Sequence, residues 1–421
     1  MVTPRRSDEV SGSLRAGLEL SPYPLTLAMA ALTCALTPAY VVRWHIGFYP
    51  TTLLEIGIVV TVAVFAVEAW RLREAPAWRS RFTIPAGIFL VAGAISVLVS
   101  PDKLAALGIY RAYLIEPVAF FLVLSSVLRT WRQAALVLSG FVLAGLVVGI
   151  ANSIAVLEAL RNHTLNPAVT GPVVIYTNAN DVALFLVPLI AVTGSIALYS
   201  SDKRERLVSA AFLVVAVLAT LLSLSRGGYL ALAVVAVGLA ISHRRRWWLL
   251  GGLGAAGLLF ALIPPVTRRL AVEVNFANSS NTLVGRFELW RVSLRMLEHH
   301  VLFGAGLSGF AQTIAPYWNP THIDRFIYPH NIVLTFWSET GLIGLAAFAW
   351  IMFTGFASSW HGWRRGAADW RTLQLGVVLA LVAVVVHGMV DVPYFKNDLA
   401  LEFWAVMGLT WAGTRWGVSS A

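Results

Sequence analysis

Charged residues and cysteine are both scarce in this chain, and their scarcity limits what it can be. Only 12% of the 421 residues are charged, against about 25% in ordinary soluble domains. Apolar residues make up 58%, and the mean hydropathy is +0.74. A soluble enzyme, a disordered chain and a nucleic-acid-binding module are therefore excluded. The single cysteine, Cys34, lies in an apolar run, which excludes a disulfide framework and a cysteine-based metal site. The composition indicates a polytopic membrane protein.

Several functional signatures are also missing. The loops contain no Walker-type phosphate-binding sequence and no Asp-x-Asp pair that would hold a metal-bound sugar nucleotide. We find no convincing internal repeat, and inverted repeats are typical of secondary transporters, so this weighs against transport. Residues 1–24 lack the apolar core and cleavage site of a signal peptide, and we expect them to form a cytoplasmic tail.

Apolar runs predict an all-α membrane protein with about twelve transmembrane helices, because a span needs roughly 17 to 25 mostly apolar residues. The predicted spans are 25–42, 51–69, 83–100, 112–128, 133–157, 180–199, 207–224, 227–242, 247–265, 331–356, 372–391 and 398–414. The predicted organisation is therefore a tail at 1–24, nine helices within 25–265, one large helical loop at 266–330, three helices within 331–414 and a tail at 415–421.

The basic residues orient these spans. The chain has 31 Lys and Arg against 21 Asp and Glu, a formal net charge of +10. Most of the basic residues outside the 266–330 loop fall in segments that are cytoplasmic if the N-terminus is inside, as the positive-inside rule requires. Both termini are thus predicted to be cytoplasmic, with the large loop outside the membrane. The basic cytoplasmic loops suit anionic membrane lipid, not nucleic acid.

The large loop is predicted to contain an amphipathic helix over 283–298, capped by Asn281-Thr282. An apolar stripe with helical spacing places Arg286 at its edge, where a guanidinium can reach a lipid phosphate or a bound phosphate. The members of the stripe are Leu283, Phe287, Trp290, Leu294 and Leu297. Arg291 and Arg295 are expected on a solvated face. The glycines from Gly304 to Gly309 are expected to end the helix, and this is favoured over a role as a glycine-rich phosphate-binding loop.

Two further motifs lie at predicted outer helix ends. Ser225-Arg226-Gly227-Gly228 interrupts an apolar stretch. A charged arginine at this position is energetically costly unless it is paired, exposed to water or bound to an anion. Pro329-His330-Asn331 begins the tenth span, and Trp337, Gly341 and Gly344 are predicted to share the helical face of His330, with the glycines admitting a close neighbouring helix. Simpler alternatives remain open: an interfacial arginine in a tight turn, and a structural histidine.

Other polar residues gather at the same predicted outer side: Glu55, Arg111, Glu116, Asn178, Asn180, Asp181, Glu339, Asp391 and Lys396. Most are expected to form structural pairs, such as Arg111 with Glu116 and Asp391 with Lys396. Their shared side nevertheless suits an aqueous cavity.

The order of these motifs resembles the O-antigen ligase and polymerase superfamily. The likeness rests on Ser225-Arg226-Gly227-Gly228, on Gly285-Arg286 with Leu289-Trp290, and above all on His330-Asn331 followed after nine residues by Gly341-Leu342-Ile343-Gly344. Two further stretches, around Tyr176–Asp181 and Asp391–Asp398, are similar as well. The resemblance covers roughly residues 105–415 and implies a GT-C-like fold of lipid-linked glycan transferases.

The resemblance implies a glycosyltransferase of the bacterial inner membrane that needs neither metal nor cofactor. Such proteins move a glycan from undecaprenyl diphosphate to an acceptor hydroxyl, on lipid A core oligosaccharide or another glycan, at the outer membrane face. Arg226 and Arg286 would bind the diphosphate, and His330 would act on the acceptor hydroxyl as the catalytic base. Supporting roles would fall to Arg111, Asn180, Asp181, Asn331, Asp391 and Lys396. Attack opposite the diphosphate would invert the anomeric centre.

Several alternatives remain open. The lipopolysaccharide ligases are expected to carry Leu four residues after the loop arginine, whereas this chain has Trp290, so a polysaccharide polymerase or a protein O-oligosaccharyltransferase of the same superfamily is the next reading. A cell-wall glycan polymerase of the shape, elongation and division class would share the lipid carrier. A flippase of lipid-linked glycans belongs to another class, and it would place its key charges near the membrane midplane.

Overall fold

A computed structural model describes residues 21–47, 49–165, 171–264, 266–268, 271, 281–319 and 325–417. Most of the predicted N-terminal tail, part of the large loop and most of the C-terminal tail fall outside these residues. Thirteen helices carry labels here: α1 Pro24–Ala35, α2 Leu53–Leu72, α3 Thr83–Val99, α4 Lys103–Val127, α5 Trp131–Arg161, α6 Ala179–Tyr199, α7 Lys203–Leu222, α8 Arg226–Ser242, α9 Arg246–Ala261, α10 Thr282–His299, α11 Ile332–Arg365, α12 Ala368–Gly388 and α13 Asn397–Trp416.

Each of the twelve predicted spans contains one of these helices, and α10 is the helix predicted in the large loop. Seven of the helices, α2, α4, α5, α6, α7, α11 and α12, are long and apolar enough to cross a membrane. Four more, α1, α3, α8 and α9, are apolar but shorter, and α13 carries Asp398 and Glu402 in its first two turns. The chain is therefore a helical membrane protein, while the count of twelve spans and the GT-C-like fold stay predictions.

The described chain is not purely helical. Strands β1 (Arg43–Ile46) and β2 (Tyr49–Thr52) form an antiparallel hairpin in which Arg43 pairs with Thr52. The expected first span also stops early: α1 ends at Ala35 and a short 3-10 helix, Thr37–Val41, follows. Thr52 then caps α2 through a reciprocal pair of hydrogen bonds with Glu55. Shorter helical turns occur at Phe310–Thr313 and Ala315–Tyr317, and Tyr110–Ile115 inside α4 is π-helical.

Helix α6 lies at the centre of the bundle and packs against α7, α8 and α12. Helix α11 packs against α3 and α12, and α13 packs against α4. Stacked rings of Phe336 and Phe348, 3.6 Å apart between centroids, join Phe89 and Tyr394 in an aromatic core between α3, α11 and the segment before α13. By contrast, α9 buries none of its residues in the bundle. The central packing therefore fixes the ends of α6, α8, α11 and α12 relative to one another.

The large loop is held against a break in α11. Gly341 has φ 67° and ψ −177°, a conformation that is essentially restricted to glycine. The break lets the turn after α10 approach: the amide of Leu342 donates to the carbonyl of Leu302 at 3.0 Å, and the amide of Ala305 donates to the carbonyl of Ser338 at 2.7 Å. Gly341 therefore contacts this turn. Gly341 and Gly344 were both expected to allow the close approach of a neighbouring helix, but only Gly344 does so, where Ala92 of α3 lies close to it.

Helix α10 ends at His299, five residues before Gly304, so the glycines from Gly304 to Gly309 form a turn after the helix and do not stop it as expected. Gly304 and Gly306 both have positive φ, and a side chain at Gly306 would collide with the backbone of Ser96 and Ser100 in and after α3. The amide of Ser308 donates to the buried carboxylate of Glu339 at 2.7 Å. The glycines therefore bring the loop against α3 and α11.

The buried face of α10 differs from the predicted stripe. Leu289, Val292, Ser293, Met296 and Leu297 are buried, whereas Phe287 and Leu294 are exposed on the protein surface. The error has a physical cause: next to a membrane, apolar residues can face lipid as well as protein, so hydrophobicity alone does not say which face packs. Arg286 lies one turn before Leu289 and so shares the buried face, not its edge.

Candidate functional site

A cavity of about 610 Å³ lies where the ends of several helices meet. We call it the Asp391 cavity. It is lined by the start of α6 (Asn178–Asn180), the start of α8 (Arg226, Gly227 and Leu230), the start of α10 (Thr282, Leu283 and Arg286), the α12–α13 connection (Val390 and Asp391) and Gly171, Val173 and Thr177. Three helix N-termini therefore face one cavity together with two arginines. Helix N-termini carry partial positive charge and unpaired amides, so this lining suits an anion.

Arg226 is the first residue of α8, and the residues on either side of it fix where this helix begins. The hydroxyl of Ser225 accepts a hydrogen bond from the amide of Gly228 at 3.2 Å and caps the helix. The two glycines that follow admit close neighbours: a side chain at Gly227 would meet the ring of His387 at 2.7 Å, and one at Gly228 would meet Ala183 at 2.5 Å. The motif thus seats the start of α8 tightly between α6 and α12, beside the cavity.

Arg286 reaches the cavity from the large loop. Asn281 caps α10 by accepting hydrogen bonds from the amides of Leu283 and Val284. The Nη2 atom of Arg286 lies 3.8 Å from the Oδ2 atom of Asp391, and the side chain is 19% exposed. Burial lowers the pKa of Arg286, and the charge of Asp391 opposes this. Guanidinium pKa values lie so high that Arg286 stays charged.

His330 and Asp391 form the central pair of the site. The Nδ1 atom of His330 lies 2.9 Å from the Oδ1 atom of Asp391. Asp391 also accepts hydrogen bonds from the side-chain amide of Asn180 at 2.9 Å and from the amide of Val392 at 2.9 Å. Burial alone would raise the pKa of Asp391, but the hydrogen bond from His330 and the charges of His330 and Arg286 outweigh it and lower the pKa. The carboxylate is therefore ionised at neutral pH.

The ionised carboxylate determines how the imidazole of His330 is used. A carboxylate only accepts hydrogen bonds, so the Nδ1 atom of His330 carries a proton, and the Nε2 atom is the one that has a lone pair when the ring is neutral. The backbone of His330 has φ 50°, in the left-handed region that non-glycine residues seldom adopt. Because His330 lies outside α11, the predicted helical face shared with Trp337 does not apply. Its ring packs edge-on against Phe326, with centroids 5.0 Å apart.

Asn331 holds the segment that carries His330. Its side-chain oxygen accepts hydrogen bonds from the amides of Val333 and Leu334 and caps α11, while its amide group donates to the carbonyl of Met389 at 3.1 Å. Trp290 of α10 donates to the carbonyl of Pro329 at 3.1 Å. Asn331 and Trp290 therefore tie both sides of His330 to neighbouring elements, and Trp290 gains a polar contact that leucine cannot make.

The expected ion pairs are partly right. Arg111 does pair with Glu116, at 3.2 Å, but it also pairs with Glu55 at 2.6 Å, and Asn397 donates to Glu55. This cluster joins α2, α4 and α13 and is separate from the lining of the Asp391 cavity. The expected pair of Asp391 with Lys396 is wrong: Lys396 contacts Asp181 instead, since Asp391 is taken by His330.

The sequence-predicted residues thus divide into the Arg111 cluster just described and two further groups. Asp391 connects His330, Asn180 and Arg286, and the cavity that it lines also receives Arg226. Lys396 and Asp181 form a second pair at the starts of α13 and α6, next to a hydrogen bond from Tyr176 to Asp398 at 2.9 Å. Asn178, which was expected at the outer side, lines the cavity and caps α6, whereas the partner of Asp391 was missed.

The chain was compared with models of known families. Residues 211–349 match the family model described as O-Antigen ligase. The resemblance to the O-antigen ligase and polymerase superfamily is confirmed. The matched segment contains Arg226, Arg286 and His330, whereas Asn180 and Asp391 lie outside it. Members of this O-antigen ligase family are glycosyltransferase-like ligases and polymerases that use lipid-linked glycans and glycan acceptors in general. No curated protein matches the chain.

Proposed function

We propose that the chain transfers a glycan from undecaprenyl diphosphate to an acceptor hydroxyl at the Asp391 cavity. The observation that carries the proposal is that Arg226, Arg286 and Asp391 line one cavity, and that Asp391 in turn contacts His330 at 2.9 Å. All four residues lie at helix starts or in connections, at one end of the bundle. This placement supports chemistry at one membrane surface more than carriage through the midplane.

The donor diphosphate would lie between Arg226 and Arg286. Guanidinium groups bind phosphate oxygens in pairs and keep their charge, so they can stabilise the negative charge that builds on the diphosphate as the sugar–phosphate bond breaks. The starts of α6, α8 and α10 add partial positive charge at the same place. Arg286 is held near Asp391 before the donor arrives, so its charge is partly compensated in the free protein.

The polyprenyl chain of the donor would lie in a lateral groove between α6, α7, α8 and α9. This groove of about 720 Å³ has an almost wholly apolar lining, and along α8 that lining runs from Tyr229 to Ala240. At 1.5 Å per residue this is about 16 Å along the helix. Tyr229 lies three residues after Arg226, so a lipid in the groove can present its diphosphate to the cavity. The loose packing of α9 leaves the groove open toward the membrane.

The acceptor hydroxyl would be activated by His330. Its Nε2 atom takes the hydroxyl proton, the hydroxyl oxygen forms the new bond to the anomeric carbon, and the bond from that carbon to the diphosphate breaks with its electrons leaving on the diphosphate. Asp391 holds the ring by its Nδ1–H and stabilises the imidazolium that forms. Attack from the face opposite the diphosphate inverts the anomeric centre. Among the described residues, no group of three or more His, Cys, Asp or Glu is arranged to hold a metal ion, and metal independence stays a prediction.

The test uses the purified full-length chain with an undecaprenyl diphosphate glycan, a hydroxyl-bearing glycan acceptor and EDTA. We expect glycan to appear on the acceptor and undecaprenyl diphosphate to be released in equal amounts. Lipid A core oligosaccharide and a second copy of the donor glycan are offered as competing acceptors, which separates a ligase from a polymerase. If no acceptor receives glycan while sealed vesicles move the intact donor between leaflets, the proposal fails and the flippase reading replaces it.

A further inference from the structure

A second charged site lies at the end of the bundle opposite the Asp391 cavity. Helix α13 begins at Asn397, next to the Lys396–Asp181 pair, and ends at Trp416. Its 20 residues span about 30 Å at 1.5 Å per residue, which is the thickness of the hydrocarbon core of a membrane. Trp416 lines a cavity of about 760 Å³, here called the arginine cavity. The arginine cavity therefore belongs to the other membrane face.

The arginine cavity has a strong positive charge. Arg79, Arg81, Arg129 and Arg415 line it, and the one carboxylate among its described lining residues is that of Glu74. Glu74 already has partners: it accepts hydrogen bonds from Tyr23 at 2.8 Å and from Arg129 at 2.6 Å, which lower its pKa and keep it ionised. Within the described chain, Arg79, Arg81 and Arg415 have no carboxylate partner. Three positive charges are thus available to an anion.

Two features place the arginine cavity at the level of lipid headgroups. The indoles of Trp78 and Trp416 line it and are 58% and 44% exposed. Tryptophan is enriched at membrane–water interfaces because its ring is apolar and its N–H is polar. The guanidinium of Arg415 lies 5.0 Å above the ring of Trp416, which holds that charge at the same level.

An apolar groove of about 770 Å³ adjoins the arginine cavity. Glu74, Ala75 and Pro76 line both, so the two spaces share a border. The groove lies between α2 and α4 and is lined by apolar side chains, among them Val62, Phe65, Ala66, Leu122 and Val123, with Arg71 and Arg73 at the end where α2 terminates. From Val62 to Arg71 it follows α2 for about 14 Å, which reaches well into the hydrocarbon layer.

We propose that the arginine cavity and the apolar groove together bind one anionic glycerophospholipid from the leaflet opposite the Asp391 cavity. Its phosphodiester would contact Arg79, Arg81 and Arg415, and an acyl chain would follow the groove past Pro76. Basic pockets between membrane helices bind such headgroups, and arginine recognises phosphate oxygens in pairs. Glu74 forms an ion pair with Arg129, so its carboxylate does not attract the positive charge of a choline headgroup. The site therefore favours lipids with net negative charge. The binding is independent of glycan transfer at the other membrane face.

The test measures lipid retained by the purified full-length chain with native mass spectrometry. The chain is incubated with phosphatidylglycerol, with phosphatidylcholine of the same acyl chains, or with water-soluble glycerophosphate. We expect one phosphatidylglycerol to bind at least about tenfold more tightly than phosphatidylcholine. Arg79→Ala combined with Arg81→Ala should weaken phosphatidylglycerol binding at least about tenfold, since each basic residue near a lipid surface contributes about 1 kcal/mol.

Two further variants make the result specific. Arg244→Ala with Arg245→Ala removes two exposed arginines just beyond α8, at the same membrane face but outside both cavities, and should leave binding unchanged. Ala66→Trp fills the apolar groove and should weaken lipid binding without touching the arginines. Equal binding of the two lipids, or full binding by the Arg79/Arg81 variant, would overturn the proposal. Glycerophosphate binding that Ala66→Trp does not alter would show a site for a soluble anion instead.

Discussion

The proposed function predicts that Asp391 has opposite effects on the rate of glycan transfer and on donor affinity. Conversion of Asp391 to asparagine tests both effects. In the wild type, the carboxylate lies 2.9 Å from the Nδ1 atom of His330. At this distance two unit charges attract by about 6 kcal/mol at an effective dielectric constant of 20. Asp391→Asn keeps the size of the side chain but removes this stabilisation of the imidazolium. We expect kcat to fall by about 10²- to 10⁴-fold, the range that a general base contributes.

Donor binding should respond in the opposite direction. The same substitution frees Arg286, whose Nη2 atom lies 3.8 Å from the Asp391 carboxylate, an attraction of about 4 kcal/mol under the same assumption. An unpaired Arg286 can give its whole charge to the donor diphosphate. Asp391→Asn should therefore bind donor as tightly as the wild type or more tightly.

The assay pairs two measurements on the same preparation. Glycan transfer is followed at saturating donor, and donor affinity is measured by equilibrium binding without acceptor. Asp369→Asn is the control, because Asp369 lies in the first turn of α12, at the other end of that helix. A wild-type kcat in Asp391→Asn would refute the role given to the His330–Asp391 pair. A loss of donor affinity in an Asp391→Asn preparation that is fully folded at the assay temperature would refute the assignment of Arg286.

Three further predictions follow from the same geometry. Arg286→Ala should weaken donor binding about ten- to a hundredfold, the value of a charged hydrogen bond, and Arg286→Lys should restore only part of it because lysine lacks the paired donors; a donor titration of both variants decides this. Gly341→Ala should destabilise the protein by at least about 1–3 kcal/mol, measured by thermal unfolding, because φ is 67° and the new carbon would lie 2.3 Å from the carbonyl oxygen of Leu302. The stabilisation from Asp391, whose pKa is lowered by folding, is present above the ordinary pKa of about 4 and is lost as pH falls through the folded value, so the melting difference between wild type and Asp391→Asn should shrink below about pH 4.

The helices of this chain were predictable because each depends on a local run of apolar residues. Every expected span contains a helix, and the capped helix in the large loop is present as α10. The pairings that build the site were not predictable in this way. Asp391 lies five residues before Lys396, so an ion pair between the two was expected from the sequence. Asp391 instead pairs with His330, which lies 61 positions earlier in the chain. Only the packing of α11 against α12 brings these two together.

The faces of the helices were also hard to predict. Phe287 and Leu294 of α10 belong to an apolar stripe by spacing, yet they lie on the surface, since a membrane protein can expose such side chains to lipid. Arg226, in contrast, was singled out because an arginine close to a membrane is costly without a specific reason, and Arg286 because it was expected at the edge of the apolar stripe. Both line the Asp391 cavity, whose geometry needed the tertiary structure.

The central claim is that His330 is the base of a glycan transfer, and His330→Asn tests it most directly. Asparagine is among the residues that tolerate the left-handed backbone at this position, and its amide can still donate to Asp391 while it offers no base. The measurement is single-turnover transfer from prebound undecaprenyl diphosphate glycan at saturating acceptor. The account predicts that the variant binds donor normally and transfers glycan at least about a hundredfold more slowly than the wild type. Transfer at the wild-type rate by a variant that binds donor normally would contradict it.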